Sequence, residues 1–314
     1  MNSTSYLQFI FLSGLFGILP VLAREVREVV VSHTDEKGIL QLYRMNEDGS
    51  DSVQLTFSKH GCRMPSVSPN GKKLAYVEQV DHSLAIRISD LDGLNIRTLT
   101  EGGMNLIPSW FPDSEQLIFM KVSPKPKQDP ARNAQIYTVN LEAGIARRLF
   151  SDEEQLKYSN AMPVISPKGD RIAFVSNRSG DMRVWMSALD GSGAKLLSKP
   201  EKNFHDKIKA PFEQKVPAWS PDGKWIAHWE GVEMIHMSRF TGVPNPRRDQ
   251  MIANTFHVWV VGEDGKGRKK IGRGDDPTWS PDGFVTRAFP DPGRGGPVVL
   301  SLIHISEPTR PNEI

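Results

Sequence analysis

Four histidines gather in the second half of the chain, at His205, His228, His236 and His257. Imidazole is the commonest side-chain ligand for zinc-like metals and the side chain whose ordinary titration lies nearest neutral pH. Together the four could hold a metal or move protons. No two of them stand at i,i+2 or i,i+4, the spacings that place two rings on one side of a strand or a helix, so core or loop histidines are the plainer reading. Other catalytic signatures are missing from the sequence. There is no G-x-S-x-G nucleophile elbow and no H-E-x-x-H pair or EF-hand loop. Cys62 is the sole cysteine, which excludes an intramolecular disulfide. It has no Cys or His partner at zinc spacing and reads as structural. No catalytic residue and no cofactor is assigned.

Charge offers a different chemistry. The formal net charge of +2 over 314 residues makes no case for nucleic acid or a membrane surface as partner. Basic side chains are nevertheless concentrated in three stretches, 121–133, 198–215 and 230–256. Lys125, Lys127, Arg132, Lys207, Lys209, Arg239, Arg247 and Arg248 are the candidate binding residues among them. Such groups would steer an acidic partner more than they would hold it. Solvated loop charge, offset in the third stretch by Glu230, Glu233 and Asp249, is the open alternative.

What must position these residues is a repeat. Residues 217–229 read PAWSPDGKWIAHW, and the pattern returns as PSVSPNGKKLAYV at 65–77, PSWFPDSEQLIFM at 108–120 and PVISPKGDRIAFV at 163–175. It opens once more as PTWSPDGFV from Pro277. Each copy is an apolar strand, a tight turn and a second apolar strand. Pro221 fixes φ at the first central position of the turn, and Gly223 takes the positive φ that closes it. A second hairpin with an Asp-Gly type turn follows every copy but the last, for example MRVWMSALDGSGAKLLS at 182–198. The turn prolines 69, 112, 167, 221 and 281 lie 43, 55, 54 and 60 residues apart. Four strands per unit at that period indicate an all-β fold, a β-propeller of four-stranded blades with insertions. Five complete blades and a partial sixth are expected. Pro65, Pro108, Pro163, Pro217 and Pro277 begin the first strands, which are therefore expected at sheet edges facing a central hole. Trp110, Trp185, Trp219, Trp259 and Trp279 are expected to pack between blades.

With strands named a to d from axis to rim, the short a–b and c–d turns fall on one side of the disc. The b–c and d–a connections fall on the other, and all three insertions are of that kind. Insertions confined to one side mark the binding side of a repeat protein.

Outside the repeat, residues 1–23 fit an export signal: an apolar run at 7–19, then Pro20 and a small-residue end at Ala23. The run is short for a membrane span, though an uncleaved anchor is the alternative. The propeller is expected over 24–289. The first blade, about 25–56, lacks the proline-led strand, so its innermost strand is expected from elsewhere. Residues 290–314 are expected to be an irregular tail, because 300–311 resemble a translated sequencing adapter at a broken gene end.

At Trp219, Ser220, Pro221, Asp222 and Gly223 with Ile226 and Ala227, the chain resembles the TolB-type propellers built from PD-type, WD-like repeats. Trp279 to Gly283, Ile172 to Phe174, and the turns at Leu91-Asp92-Gly93 and Leu189-Asp190-Gly191 match as well. The resemblance covers about residues 25–289. It implies a periplasmic scaffold that works with envelope proteins, as TolB does with Tol proteins and the peptidoglycan-associated lipoprotein. The N-terminal α/β domain of TolB has no counterpart between the signal and the first blade. The expected function is an exported, periplasmic or secreted, non-catalytic propeller with no membrane span after signal cleavage. It would bind an acidic envelope or secreted protein, or an envelope polymer, on its insertion-bearing face. The alternatives are the propeller of a truncated prolyl-oligopeptidase-like peptidase, or a metal-dependent polysaccharide lyase using the four histidines.

Overall fold

The structure, a computed structural model, describes residues 28–46, 48–122, 134–232, 254–279, 284–288 and 301–304. Its elements fall into six successive strand units. The first is β1 (Glu28–Thr34), β2 (Leu40–Asn46) and β3 (Val53–Gln54). The second is β4 (Cys62–Val67), β5 (Lys73–Val80), β6 (Ser83–Asp90) and β7 (Arg97–Thr98). The third is β8 (Met104–Trp110), β9 (Gln116–Val122), β10 (Ala134–Asn140) and β11 (Ala146–Arg148). One parallel pairing, Leu84 with Met104, joins these two quartets into a continuous sheet.

After the short helix α1 (Glu153–Leu156), the fourth unit is β12 (Asn160–Ile165), β13 (Arg171–Ser176), β14 (Arg183–Ala188) and β15 (Lys195–Leu196). The fifth holds β16 (Phe204–His205), β17 (Ala210–Trp219), β18 (Trp225–Val232), β19 (His257–Gly262) and β20 (Lys269–Arg273). The last is β21 (Asp275–Trp279), β22 (Phe284–Ala288) and β23 (Ser301–His304). Strands within each unit run antiparallel.

Among the described residues the first unit has three strands, in keeping with a first blade that lacks the proline-led strand. Two details differ from expectation. Four residues of the segment expected to be irregular, Ser301–His304, pair with β22. The prolines do not begin the first strands but sit inside them, at a bulge. Register slips between Arg63 and Ser66, Leu106 and Ser109, Ala161 and Val164, and Lys215 and Ala218. In each case the residue before proline, Met64, Ile107, Met162 or Val216, has φ near +50°. A bulge tolerates proline because its missing N–H is one the ladder has already given up. The left-handed backbone is costly for a β-branched Ile107 or Val216. The same kink recurs four times, so the packing around it must offset that cost each time.

That packing lies between units. A twisted four-stranded sheet is apolar on both faces here and cannot bury them alone. Leu42 and Leu55 of the first unit meet Cys62, Leu74 and Tyr76 of the second. Val77, Ile86 and Ile88 meet Trp110, Leu117 and Phe119 of the third. Phe150 of the third meets Phe174 of the fourth edge-on at 5.4 Å between ring centroids. Each fully buried side chain of this size contributes about 1.5–3 kcal/mol. The tryptophans closing the first strands add a directional link. Trp110 Nε1 donates to Ser66 O (2.8 Å), Trp219 to Val164 O (3.3 Å) and Trp279 to Ala218 O (3.0 Å), each a carbonyl on the preceding unit's first strand. Cys62 is buried among these apolar groups, and burial pushes its thiol up to about 11. It is structural.

The tight turns converge on one side. Leu91 N donates to Lys72 O, Leu141 N to Glu115 O and Glu263 N to Lys224 O, so a–b and c–d turns of one unit touch. Turns of adjacent units touch too: Asn70 N donates to Ser114 Oγ at 3.1 Å. Gly93, in a c–d turn, shows how close this is. Its φ is +85°, and a Cβ there would lie 2.5 Å from the backbone oxygen of Leu55 in the preceding unit. Gly71 shares the positive φ but has open space around it. Gly71→Ala should therefore cost only the backbone term, about 1 kcal/mol, whereas Gly93→Ala should cost more than ~2 kcal/mol because backbone must move. Urea unfolding of the two variants checks this, and equal losses would contradict direct contact between the Gly93 turn and the preceding unit.

Candidate functional site

The side opposite the tight turns carries a pocket of about 200 Å³ on the fifth unit. Two connections frame it. Glu201, Lys202 and His205 come from the d–a connection before β17, and Asn254 and Thr255 from the end of the b–c connection. Phe212 on β17, Glu230 on β18, and His257 and Trp259 on β19 supply the wall, with Lys270 of β20 at the rim. Strand register explains the wall. Gln214 lies opposite Glu230, Glu230 opposite His257, and His228 opposite Trp259, so alternation sends all of them to one face. That face packs on the fourth unit, where Val184 N donates to Gln214 Oε1.

Buried polar groups on this face form one network. His228 is fully buried, with Nε2 3.2 Å from Ser198 Oγ and Nδ1 3.4 Å from Trp229 O. Gln214 Nε2 donates to Ser198 Oγ (3.0 Å) and to Glu230 Oε2 (3.3 Å). Glu230 also accepts from Glu201 N (2.7 Å) and from Arg268, whose guanidinium covers the Trp259 ring at 3.6 Å. Burial raises the Glu230 carboxyl above its usual range, against the opposing pull of Arg268 and these donors. With three donors on it, Glu230 fixes the wall rather than offering a base.

The two pocket histidines are held in opposite senses. His257 Nδ1 lies 2.9 Å from Thr255 O, a group that only accepts, so Nδ1 carries a proton. The Ile208 N–H is shared at 3.2 Å between His205 Nδ1 and the His205 carbonyl, an arrangement that favours a lone pair on Nδ1 and the proton on Nε2. Burial, seconded by Lys270 and Arg273, lowers His257 and keeps it neutral near pH 7. Its Nε2 is then an acceptor, while His205 Nε2 is a donor.

Of the residues expected from sequence, Lys207 and Lys209 are exposed in the turn between β16 and β17, beside His205. His205 and His257 come together at the pocket, and His228 belongs to the buried network instead. Lys125, Lys127, Arg132, Arg239, Arg247, Arg248 and His236 lie outside the described residues. Among the described residues no group of three His, Cys, Asp or Glu is placed to hold a metal. No helix among them is long and apolar enough to cross a membrane. Sequence reasoning passed over Glu201, Gln214, Arg268 and Lys270 as site residues, and took Lys202 only as one of the basic side chains of its connection. The alternation of β18 and β19 would have placed Glu230 beside His257, but the 198–215 connection carries no such period.

His228 makes the network sensitive to acid. Burial pushes it down from 6.5 to about 3. Between those values the unfolded chain binds a proton that the native protein refuses, so its contribution is full above pH 6.5 and is lost as pH falls toward 3. Glu230 works in the opposite sense, its raised carboxyl losing stability as pH climbs through its folded value. Stability should fall below pH 6.5 by up to about 1.4 kcal/mol per pH unit from His228, and His228→Gln should flatten that slope. Chemical denaturation at pH 7, 6 and 5 measures it; an unchanged slope in the variant would contradict the assignment.

A family model described as the TolB beta propeller domain matches residues 27–128. A TolB homolog from Chlorobium luteolum is 26% identical over 164 residues, which is 52% of this chain and 35% of that protein. The chain spans about a third of the length of the curated relatives it matches. TolB from Acinetobacter baumannii superposes with a TM-score of 0.65 at 19% identity, over 88% of this chain and 60% of that one. An oligogalacturonate lyase in complex with manganese shares the fold with a TM-score of 0.56 at 13% identity, over 84% and 68% of the two chains. In its repeat and its fold, the chain resembles the TolB-type β-propellers.

Proposed function

We propose that this propeller is an exported binding module, periplasmic or secreted, that grips an acidic envelope partner on the side where the b–c and d–a connections emerge. The observation that carries the reading is the division of the two sides. Tight turns are pinned against one another by backbone hydrogen bonds on one side. The pocket, Lys207 and Lys209 sit among the longer connections of the other. A side whose turns fill each other's space has little left to offer a ligand, whereas the connections can vary without disturbing the stacked sheets.

The reading is non-catalytic. Glu230 is saturated by hydrogen bonds and His228 is a buried core residue, which leaves the pocket with groups suited to recognition. The rival reading is a metal-dependent lyase, for which the two pocket imidazoles are the relevant feature. Manganese or zinc retained in stoichiometric amount after dialysis would favour the lyase.

Charge reversal separates the two sides. Lys207→Glu with Lys209→Glu, extended to Lys125, Lys127, Arg247 and Arg248, should weaken capture of the envelope partner about tenfold or more, with a steeper loss at low salt. Reversal at Asp92 and Asp190 in the tight turns should leave capture unchanged. Equal losses from both sets, measured by pull-down from an envelope extract, would overturn the facial assignment.

A further inference from the structure

We infer that the pocket on the fifth unit takes one residue of an acidic saccharide, holding its carboxylate at Lys202 and Lys270 and its hydroxyls between His205 and His257. The inference deepens the proposed function and rests on it, because it names the chemistry that the connection-bearing side would recognise.

Size is the first constraint. At about 200 Å³ the pocket is smaller than the ~300–1,000 Å³ typical of small-molecule sites, so it holds a single ring or side chain of a longer ligand. Charge is the second. Lys202 has no ion pair among the described residues, and Lys270 has only a long one, 3.9 Å to the exposed Glu201. Lys202 and Lys270 line the same pocket, the Lys270 ammonium lying 5.7 Å from the centroid of the Trp259 ring, and two such groups favour a carboxylate. Half-buried Arg268 does not compete for it, since its guanidinium is held between Glu230 and the Trp259 ring.

The imidazoles decide between an acidic side chain and an acidic sugar. A carboxylate only accepts hydrogen bonds, so it can use the lysines and the His205 Nε2 proton. It leaves the His257 Nε2 lone pair without a donor. A sugar hydroxyl both donates and accepts. It can receive from His205 and give to His257, whose sense is imposed by the Thr255 carbonyl, a group that only accepts. Site polarity of this kind discriminates strongly, because an ill-matched ligand leaves a group desolvated without a partner.

Long-range ¹H–¹⁵N spectra of the full chain labelled at histidine read the two tautomers directly. Free protein should show the Nε2–H form at His205 and the Nδ1–H form at His257. Glucuronate should shift both rings, while glucose, lacking the carboxylate, and succinate, lacking the hydroxyls, should bind at least about tenfold more weakly. Lys270→Gln should weaken glucuronate by a similar factor without altering either tautomer in the free protein.

Glucuronate leaving both rings unmoved would overturn the inference, as would equal binding of succinate. A short polyglutamate peptide binding more tightly than glucuronate would also overturn it and assign the site to a protein. The titration needs no envelope partner. Its failure therefore leaves the charge-reversal result standing, and failure of that result leaves the titration readable.

Discussion

Two-sided sheets that cannot cover themselves govern this molecule. Each quartet exposes an apolar surface on both faces, and water penalises that surface by about 25 cal/mol per Å². The remedy is the neighbouring sheet. Most core clusters consequently lie between units, joining the first to the second, the second to the third, and so on along the chain, while one around Trp229 and Phe256 lies within the fifth. The tryptophan N–H groups at Trp110, Trp219 and Trp279 then fix the angle at which one first strand meets the previous one.

Stacking of this kind divides the surface. A strand order that steps outward from the first strand sends both hairpin turns of every unit to one side, where glycine lets them approach to contact distance. The connections that must cross between hairpins or between units leave by the other side. Length added there disturbs no sheet face. The pocket on the fifth unit arises at that place, where two such connections pass over the end of a sheet face shared with the fourth unit. Its wall is rigid because a hydrogen-bonded network from His228 to Arg268 lies behind it, and its rim is polar because the connections supply it.

Much of this was legible in the sequence, for stated reasons. The Ser-Pro-Asp-Gly turn announces itself because each residue has a conformational task, and its recurrence at a propeller period carries the fold class. Tryptophan as inter-unit packing followed from its place in the repeat. The proline bulge was misjudged, since a missing N–H marks an edge strand and a bulge equally well, and only register separates them. The pocket was legible in half. His205 and His257 were named as a group with His228, but nothing in their spacing told which two would converge. That depended on β16, two residues long, folding back on the start of β17. Glu201 and Lys202 sit in an aperiodic connection, where sequence pattern carries no directional information. Lys270 and Arg268 fall in the polar outer strand of a hairpin and its turn, and only the pairing of β19 with β20 brings them to Trp259.

Direct contact between tight turns of adjacent units is the point at which the account is most exposed. In a Cys62→Ser background, Asn70→Cys and Ser114→Cys put one thiol on each of two turns that meet where the Asn70 backbone N–H donates to Ser114 Oγ at 3.1 Å. Mild oxidation of the folded monomer should close an intramolecular disulfide between them, detected by mass spectrometry after proteolysis. A control pair, Asn70→Cys with His82→Cys, sits at opposite ends of the second unit and should stay reduced. Failure of the first pair to close, or equal closure of both, would contradict the stacked arrangement and with it the separation of a sealed side from a binding side.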